Sequence, residues 1–190
     1  MPLKKMKYYT LKFGELTRHL PICKVTDSLY IAGFVLLGDA ALSEECAREL
    51  LEIVPEYDYI LTAEAKGITL VNEMARQSGA QKYMIARKYA KAYMTGVFRV
   101  DVRSITTDKV QTLYLDTADA ELMKDKRILI VDDVISTGES LRALEELVRQ
   151  AGGIVAGKMA VLAEGEAADR EDILYLQKLP LFHPDGSIMD

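Results

Sequence analysis

Apolar residues follow two rhythms along this chain. Residues 59–62 (Tyr-Ile-Leu-Thr) and 128–131 (Ile-Leu-Ile-Val) are short apolar runs bounded by polar residues. That pattern suits strands buried on both faces of a parallel sheet. Residues 82–87 and 154–162 read as two more strands. Between the runs the period lengthens to that of a helix. Ala47, Leu50, Leu51 and Val54 line one face of a helix that Ser43 caps, Glu44 and Glu45 favour in its first turn, and Pro55 ends. Ile68, Val71, Met74 and Ala75 line a second helix closed by Gly79. Leu141, Leu144, Leu147 and Val148 line a third, ending near Gly152 and Gly153. Strand and helix in alternation predict an α/β fold, with a mainly parallel sheet flanked by helices.

The remaining segments break this alternation. Residues 1–39 do not begin as a strand–helix–strand unit. Their apolar cluster, Tyr30, Ile31, Phe34, Val35, Leu36 and Leu37, is punctuated by Gly33 and Gly38 and is expected to cap an edge of the sheet. Residues 93–119 predict a two-stranded excursion, with one strand around Val97 to Arg103 and another over residues 110–115. The polar stretch 104–108 (Ser-Ile-Thr-Thr-Asp) between them is expected to be mobile. Residues 169–176 read as a short helix or strand. Residues 179–186 read as a loop-like tail.

Candidate chemistry concentrates in residues 127–140, R-I-L-I-V-D-D-V-I-S-T-G-E-S. A buried strand delivers Asp132 and Asp133 to its C-terminal end, where ligands of open α/β sheets bind. A hydroxyl-and-glycine loop and a helix start follow. Free N–H groups at a helix N-terminus attract an anion, and hydroxyls add donors. The segment reads as a phosphate cradle beside two carboxylates suited to a diol or a metal-bound group. It lacks the Gly-Lys-Ser/Thr of a Walker loop and the G-x-G-x-x-G of a dinucleotide site. Residues 64–67 (Glu-Ala-Lys-Gly) repeat the arrangement after the strand at 59–62. From Arg76 to Val100 there is no acid, while Arg76, Lys82, Arg87, Lys88, Lys91 and Arg99 are present. An anionic ligand accounts for such an island in an acidic chain.

With these residues in view, the segment around Asp132 and Asp133 resembles the phosphoribosyl pyrophosphate (PRPP) motif of the type I phosphoribosyltransferases. The resemblance implies that Asp132 and Asp133 hold the ribose hydroxyls. Ser136, Thr137, Gly138, Glu139 and Ser140 would wrap the 5′-phosphate. Glu64, Ala65, Lys66 and Gly67 resemble the pyrophosphate loop of the purine enzymes, with Arg87, Lys88 and Lys91 as further pyrophosphate contacts. In the same way, residues 104–108 match a lid that folds over substrate and excludes water, and Asp108 is its candidate catalytic acid. Phe34 and Phe182 are candidate base contacts. Glu164 and Glu166, after the last strand, read either as base-edge acceptors or as a solvated turn. The fold implied is one domain over residues 1–190, with a core of about 40–163 and a small hood from about 1–39 and 164–190.

The implied reaction moves the phosphoribosyl group of PRPP to a purine base, adenine in the first place, with Mg²⁺ bound mainly through PRPP and also through Asp132 and Asp133. A xanthine/guanine or orotate enzyme, or a non-catalytic PRPP-sensing regulator on the same fold, are the alternatives. A homodimer is expected by analogy.

Composition narrows the classes further. At 190 residues, 49% of them apolar, the chain suffices for one sizeable core. A net charge of −5 argues against a nucleic-acid or membrane surface. No apolar run reaches membrane-spanning length, and the lysine-bearing start lacks the apolar region of a secretory signal. Cys23 and Cys46 are too isolated for a disulfide framework, and His19 and His183 fall in no metal pattern. A cytoplasmic protein with reduced thiols is expected.

Overall fold

Four fully buried side chains in a row, Ile128 to Val131, place their strand at the centre of the molecule. The computed structural model describes residues 7–103 and 110–189. In chain order its elements are β1 (Tyr8–Phe13), β2 (Leu16–Lys24), β3 (Tyr30–Ala32), α1 (Ala40–Glu52), β4 (Tyr59–Ala63), α2 (Ile68–Ser78), β5 (Met84–Ala86), β6 (Val97–Arg103), β7 (Val110–Asp116), α3 (Thr117–Met123), β8 (Arg127–Ile135), α4 (Glu139–Gln150), β9 (Ile154–Glu164), β10 (Leu174–Leu179) and β11 (Leu181–Phe182). A 3-10 turn, Gly165–Asp169, follows β9.

The strands 4, 5, 8, 9 and 10 form a parallel sheet in the order β10-β9-β8-β4-β5. Side chains alternate across it. Leu129 and Val131 enter one apolar cluster, with α1, α2 and residues of β1 to β3. Ile128 and Ile130 enter the other, with α3, α4 and the β6–β7 ribbon. Covered on both faces, β8 is the continuous apolar run that its sequence predicts. Each such side chain contributes roughly 1.5–3 kcal/mol relative to exposure.

The chain ends build a second, antiparallel sheet, β1-β2-β3-β11. Leu11, Phe13, Leu20, Ala32 and Phe182 bury their side chains into the first cluster. Arg18 of β2 bonds both carboxylate oxygens of Asp39, at 2.6 and 2.9 Å, and so ties the second sheet to the start of α1.

Several boundaries differ from those read in the sequence. Asp39, not Ser43, caps α1: its Oδ1 accepts from Leu42 N–H at 3.1 Å. Ser43 lies inside the helix, buried, and donates to the Asp39 carbonyl at 2.9 Å. Two alanines ahead of the expected cap let the helix start earlier. The strand expected over 82–87 is only Met84–Ala86, continued by an isolated bridge from Arg87 to Tyr114. The tail expected as loop holds β11, and Pro180, which has no N–H to donate, separates it from β10. Because β10 joins the parallel sheet, that sheet runs past the expected core limit near 163. Helix α3 was not foreseen; its seven residues are too few to show a period, although Asp116 caps it by accepting from Ala118 N–H at 3.1 Å. The ribbon pairs Val97 with Asp116 through Arg103 with Val110, as expected. The lid reading of 104–108, Asp108 included, lies outside the described residues.

Candidate functional site

Parallel strands deliver their C-terminal ends to one edge, and three loops meet there. Strand β8 carries both acids inside its span. Asp133 is 1% exposed and Asp132 half-buried. Asp133 N–H donates to Asp132 Oδ1 at 2.8 Å, so the second acid's backbone braces the first acid's side chain. Lys66 reaches across from the loop after β4, placing Nζ 2.9 Å from Asp133 Oδ2. Burial, and then the neighbouring Asp133 charge, push the Asp132 carboxyl up to about 7, with Lys66 opposing. An acid so tuned is common at functional sites.

The loop of residues 64–67 follows β4, and its Glu64–Ala65 peptide is cis. Gly67 presses its backbone against β8. A Cβ there would run into Thr62 Oγ1 and lie 3.4 Å from Asp132 Oδ1. Glycine is needed for approach and not for backbone angle, since its φ of −71° is ordinary. Thr62 Oγ1 is buried with no hydrogen-bond partner among the described residues. At the other end of the loop, Glu64 gathers Arg87 Nη1 at 3.1 Å and Lys91 Nζ at 3.7 Å. Arg87 is held in place by reciprocal 2.8 Å backbone bonds with Tyr114, and its guanidinium lies 5.7 Å from the Tyr93 ring centroid.

The third loop joins β8 to α4. Ser136, Thr137 and Ser140 are exposed. Gly138 sits at the N-cap of α4 with φ 77°, and no side chain caps the helix there. The first-turn N–H groups therefore keep the capacity to bind an anion.

The basic island resolves into two sets. Arg76 pairs with Glu73 and Glu44, Lys82 with Asp119, and Arg99 with Asp101, all serving local structure. Arg87 and Lys91 converge on Glu64 beside the acidic pair. Lys88 is exposed, with no ion pair among the described residues. Neither candidate base-stacking ring offers a free face. Phe34 is 5% exposed, against Phe13, and Phe182 is 1% exposed, edge-on to Tyr9. Both pack the joint between the sheets, which corrects their reading as base contacts.

Arg170 is a feature the sequence did not single out. Its Nε and Nη2 bond Asp172 at 2.8 and 2.7 Å. Its Nη1 lies 2.6 Å from where a Gly138 Cβ would stand, against the loop that joins β8 to α4. Only the fold brings residue 170 back to residue 138, so local sequence carries no signal for it.

Among the described residues no group of three His, Cys, Asp or Glu side chains is placed to hold a metal. The donor set at this edge, two acids of which one is engaged by Lys66, fits a magnesium ion carried largely by substrate oxygens and waters. No described helix is long and apolar enough to cross a membrane.

The chain matches the model of the phosphoribosyl transferase domain over residues 37–179. It is 30% identical over 128 residues to a hypoxanthine/guanine phosphoribosyltransferase of Methanosarcina acetivorans, covering 67% of this chain and 64% of that protein. It is 26% identical over 147 residues to an adenine phosphoribosyltransferase of Oenococcus oeni, covering 76% and 81%. Its fold is similar to the crystal structure of adenine phosphoribosyltransferase from Thermoanaerobacter pseudethanolicus, with a TM-score of 0.62 and 22% identity over 75% of this chain and 84% of that one.

Proposed function

Because the chain belongs to the phosphoribosyltransferase family, we propose that it transfers the 5-phosphoribosyl group of PRPP to a purine base, adenine first, releasing pyrophosphate and a nucleoside 5′-monophosphate. The observation that carries the reading is the meeting of three differently charged loops at one sheet edge. A ligand with a diol between two anionic ends suits all three.

The uncapped start of α4, with Ser136, Thr137 and Ser140, takes the 5′-phosphate. Asp132 and Asp133 accept hydrogen bonds from the ribose hydroxyls. The loop of residues 64–67, with Arg87, Lys91 and Lys88, takes the pyrophosphate. In the free protein Lys66 neutralises Asp133. When substrate arrives, the ribose satisfies that carboxylate and the ammonium turns to the departing pyrophosphate. The C1–oxygen bond breaks with its electron pair going to pyrophosphate. The C1–nitrogen bond forms from the base, whose N–H proton passes to the departing pyrophosphate or to water. Positive charge develops on the sugar and negative charge on the leaving group, so preorganised donors at the pyrophosphate end act where charge appears. Bound Mg²⁺ supplies further neutralisation of pyrophosphate. The chain works as one domain in a homodimer.

Purified protein is incubated with PRPP, Mg²⁺ and, separately, adenine, hypoxanthine, guanine, xanthine and orotate, and pyrophosphate release is followed. Adenine is expected to give the highest kcat/KM. Turnover confined to a 6-oxopurine or orotate reassigns the base. PRPP binding with no turnover for any base identifies a sensor and overturns the transferase reading. Light scattering after size exclusion tests the dimer.

A further inference from the structure

The loop assigned to the 5′-phosphate has no cation of its own. A phosphate monoester carries a charge of about −1.5 to −2 at pH 7. Residues 136–140 offer it the hydroxyls of Ser136, Thr137 and Ser140, together with the acid Glu139. Backbone N–H groups at the helix start act there as dipoles, without a full counter-charge. The nearby cations on the chain's own path are turned elsewhere. Lys66 is engaged by Asp133. Arg142, in the next turn of α4, is exposed and lines a groove with Asp101, Glu145 and Glu146.

The fold brings a cation to this loop from the segment between β9 and β10. Arg170 closes the 3-10 turn there. One edge of its guanidinium, Nε and Nη2, bonds Asp172 at 2.8 and 2.7 Å. The Nη1 atom lies outside that pairing and stands beside Gly138, the residue that opens α4. The arrangement is anchored from behind. Asp172 also accepts from Lys158 Nζ at 2.5 Å, and Lys158 donates to Glu145 of α4 at 2.6 Å. The Lys158 side chain is only 14% exposed. Arg170 is thus tied, through Asp172 and Lys158, to the helix whose start it faces. A guanidinium is a rigid planar fork, so one edge fixed on a carboxylate leaves the other oriented for a second anion. Little side-chain freedom is then left to lose when that anion binds.

We propose that Arg170 is a further binding residue for the 5′-phosphate, its Nη1 donating to a phosphate oxygen while Asp172 holds the opposite edge. The inference rests on the transferase reading and deepens it, because it gives the sugar-phosphate end a positive charge from outside the loop. A residue that only braced the loop would act through backbone position. A cation in contact with the phosphate also changes the phosphate's own protonation, since an opposite charge within a few ångströms favours the ionised form.

The test compares wild type with Arg170→Gln and Arg170→Lys, using calorimetric binding of ribose 5-phosphate and, separately, of pyrophosphate. Melting curves establish that each variant is folded. If Arg170→Gln does not fold, Arg170→Met, which keeps the apolar stem, carries the same comparison. Arg170→Gln is expected to weaken ribose 5-phosphate binding by about 10- to 100-fold, the scale of one hydrogen bond to a charged group. Pyrophosphate binding, at a separate loop, should stay within about two-fold of wild type. Arg170→Lys keeps the charge without the fork and should fall between the two. Phosphorus NMR of bound ribose 5-phosphate reads the contact itself. Wild type should hold the bound phosphate as a dianion below its free second pKa of about 6, and Arg170→Gln should move the bound value up by about one unit. Equal losses for both ligands, unchanged ribose 5-phosphate binding, or weaker binding with no shift in the bound phosphate's pKa overturns the role. Turnover judges the transferase reading apart. A wild type that binds ribose 5-phosphate but turns over no base loses that reading and leaves the Arg170 comparison to decide on binding alone. One that binds no ribose 5-phosphate loses the Arg170 role as well.

Discussion

Two turns in this molecule share a plan: strand, tight loop with a glycine, helix. After β4 the glycine is Gly67, in ordinary right-handed geometry and jammed against Thr62 and Asp132. After β8 it is Gly138, at φ 77° and open toward the loop, with only the end of the Arg170 side chain close by. The first turn needs glycine for want of space, the second for want of a permitted backbone angle. The first brings side-chain charges together, as Lys66 meets Asp133 and Glu64 gathers Arg87 and Lys91. The second presents backbone N–H groups and hydroxyls. One motif on paper thus yields two kinds of candidate anion site, and the carboxylates of β8 stand between them.

The largest expected effect comes from removing what the two turns share. Replacing Asp132 and Asp133 together by Asn leaves shape nearly intact but removes the proposed acceptors for the ribose. Turnover should fall by at least about 10³-fold, the scale of losing charged groups at a preorganised site. The melting temperature should hold or rise, because two crowded acids no longer repel. Activity within a few-fold of wild type would detach the acidic pair from the chemistry.

Next comes the space requirement. Gly67→Ala pushes a methyl group into Thr62 Oγ1, and a strained close-packed contact of this kind costs about 1–3 kcal/mol. The loop has to move away from β8, and affinity for PRPP should drop by roughly ten-fold or more on that scale. Adding Thr62→Ala removes the obstructing hydroxyl, so the double variant should recover part of the loss. Calorimetric PRPP binding to the two variants measures it. The companion change Arg87→Ala leaves the loop's backbone in place. It should raise the PRPP KM by about 10-fold, on the scale of a charge-assisted bond, and leave the base KM nearly unchanged.

How far these turns were legible in sequence follows from the range of the interactions involved. The apolar run of β8, the helical period of α4 and the acids between them all lie within residues 128–148, and periodicity finds them. The value of residues 64–67 was partly legible, since strand, small residues and glycine are local, but the Lys66–Asp133 contact joins positions far apart in the chain. Charge reading failed where it assumed that an acid-free stretch acts as a unit. Lys82 and Arg99 find Asp119 and Asp101 just beyond it. Aromatic reading failed for Phe34 and Phe182 because apolar rings look the same whether they face a ligand or a core. Arg170 was invisible, since its position is set by the return of the chain beside α4.

The pH dependence separates the turns by mechanism. Native Asp132 holds its proton up to about 7, well above the ordinary carboxylate range, because of burial and then the Asp133 charge. The folded state therefore binds more protons than the unfolded state between that range and about 7. This group's contribution to stability then falls as pH rises through the window. Activity in the proposed reaction moves the other way, because there only the ionised carboxylate accepts hydrogen bonds from both ribose hydroxyls. PRPP-limited kcat/KM should rise about ten-fold per pH unit below the folded pKa and level off above it. Asp132→Asn should abolish both the stability slope and the rising limb. Gly67→Ala, acting through space, should lower activity without removing the limb.

The smallest effect isolates the backbone of the second turn. Gly138→Ala asks an L-residue to hold a left-handed angle, at about 1–2 kcal/mol. It also sets a Cβ 2.6 Å from Arg170 Nη1, which is the movable end of a side chain. Gly138→Asn carries the same Cβ to the same neighbour, yet Asn visits the left-handed region more readily. If the angle governs, Asn should melt closer to wild type than Ala does, and adding Arg170→Ala to Gly138→Ala should restore little. If contact governs, Asn and Ala should melt alike, and the double variant should recover. Thermal melts of the three variants decide which. The first outcome keeps the two glycines distinct, one for space and one for angle, while the second reduces both turns to the same steric rule.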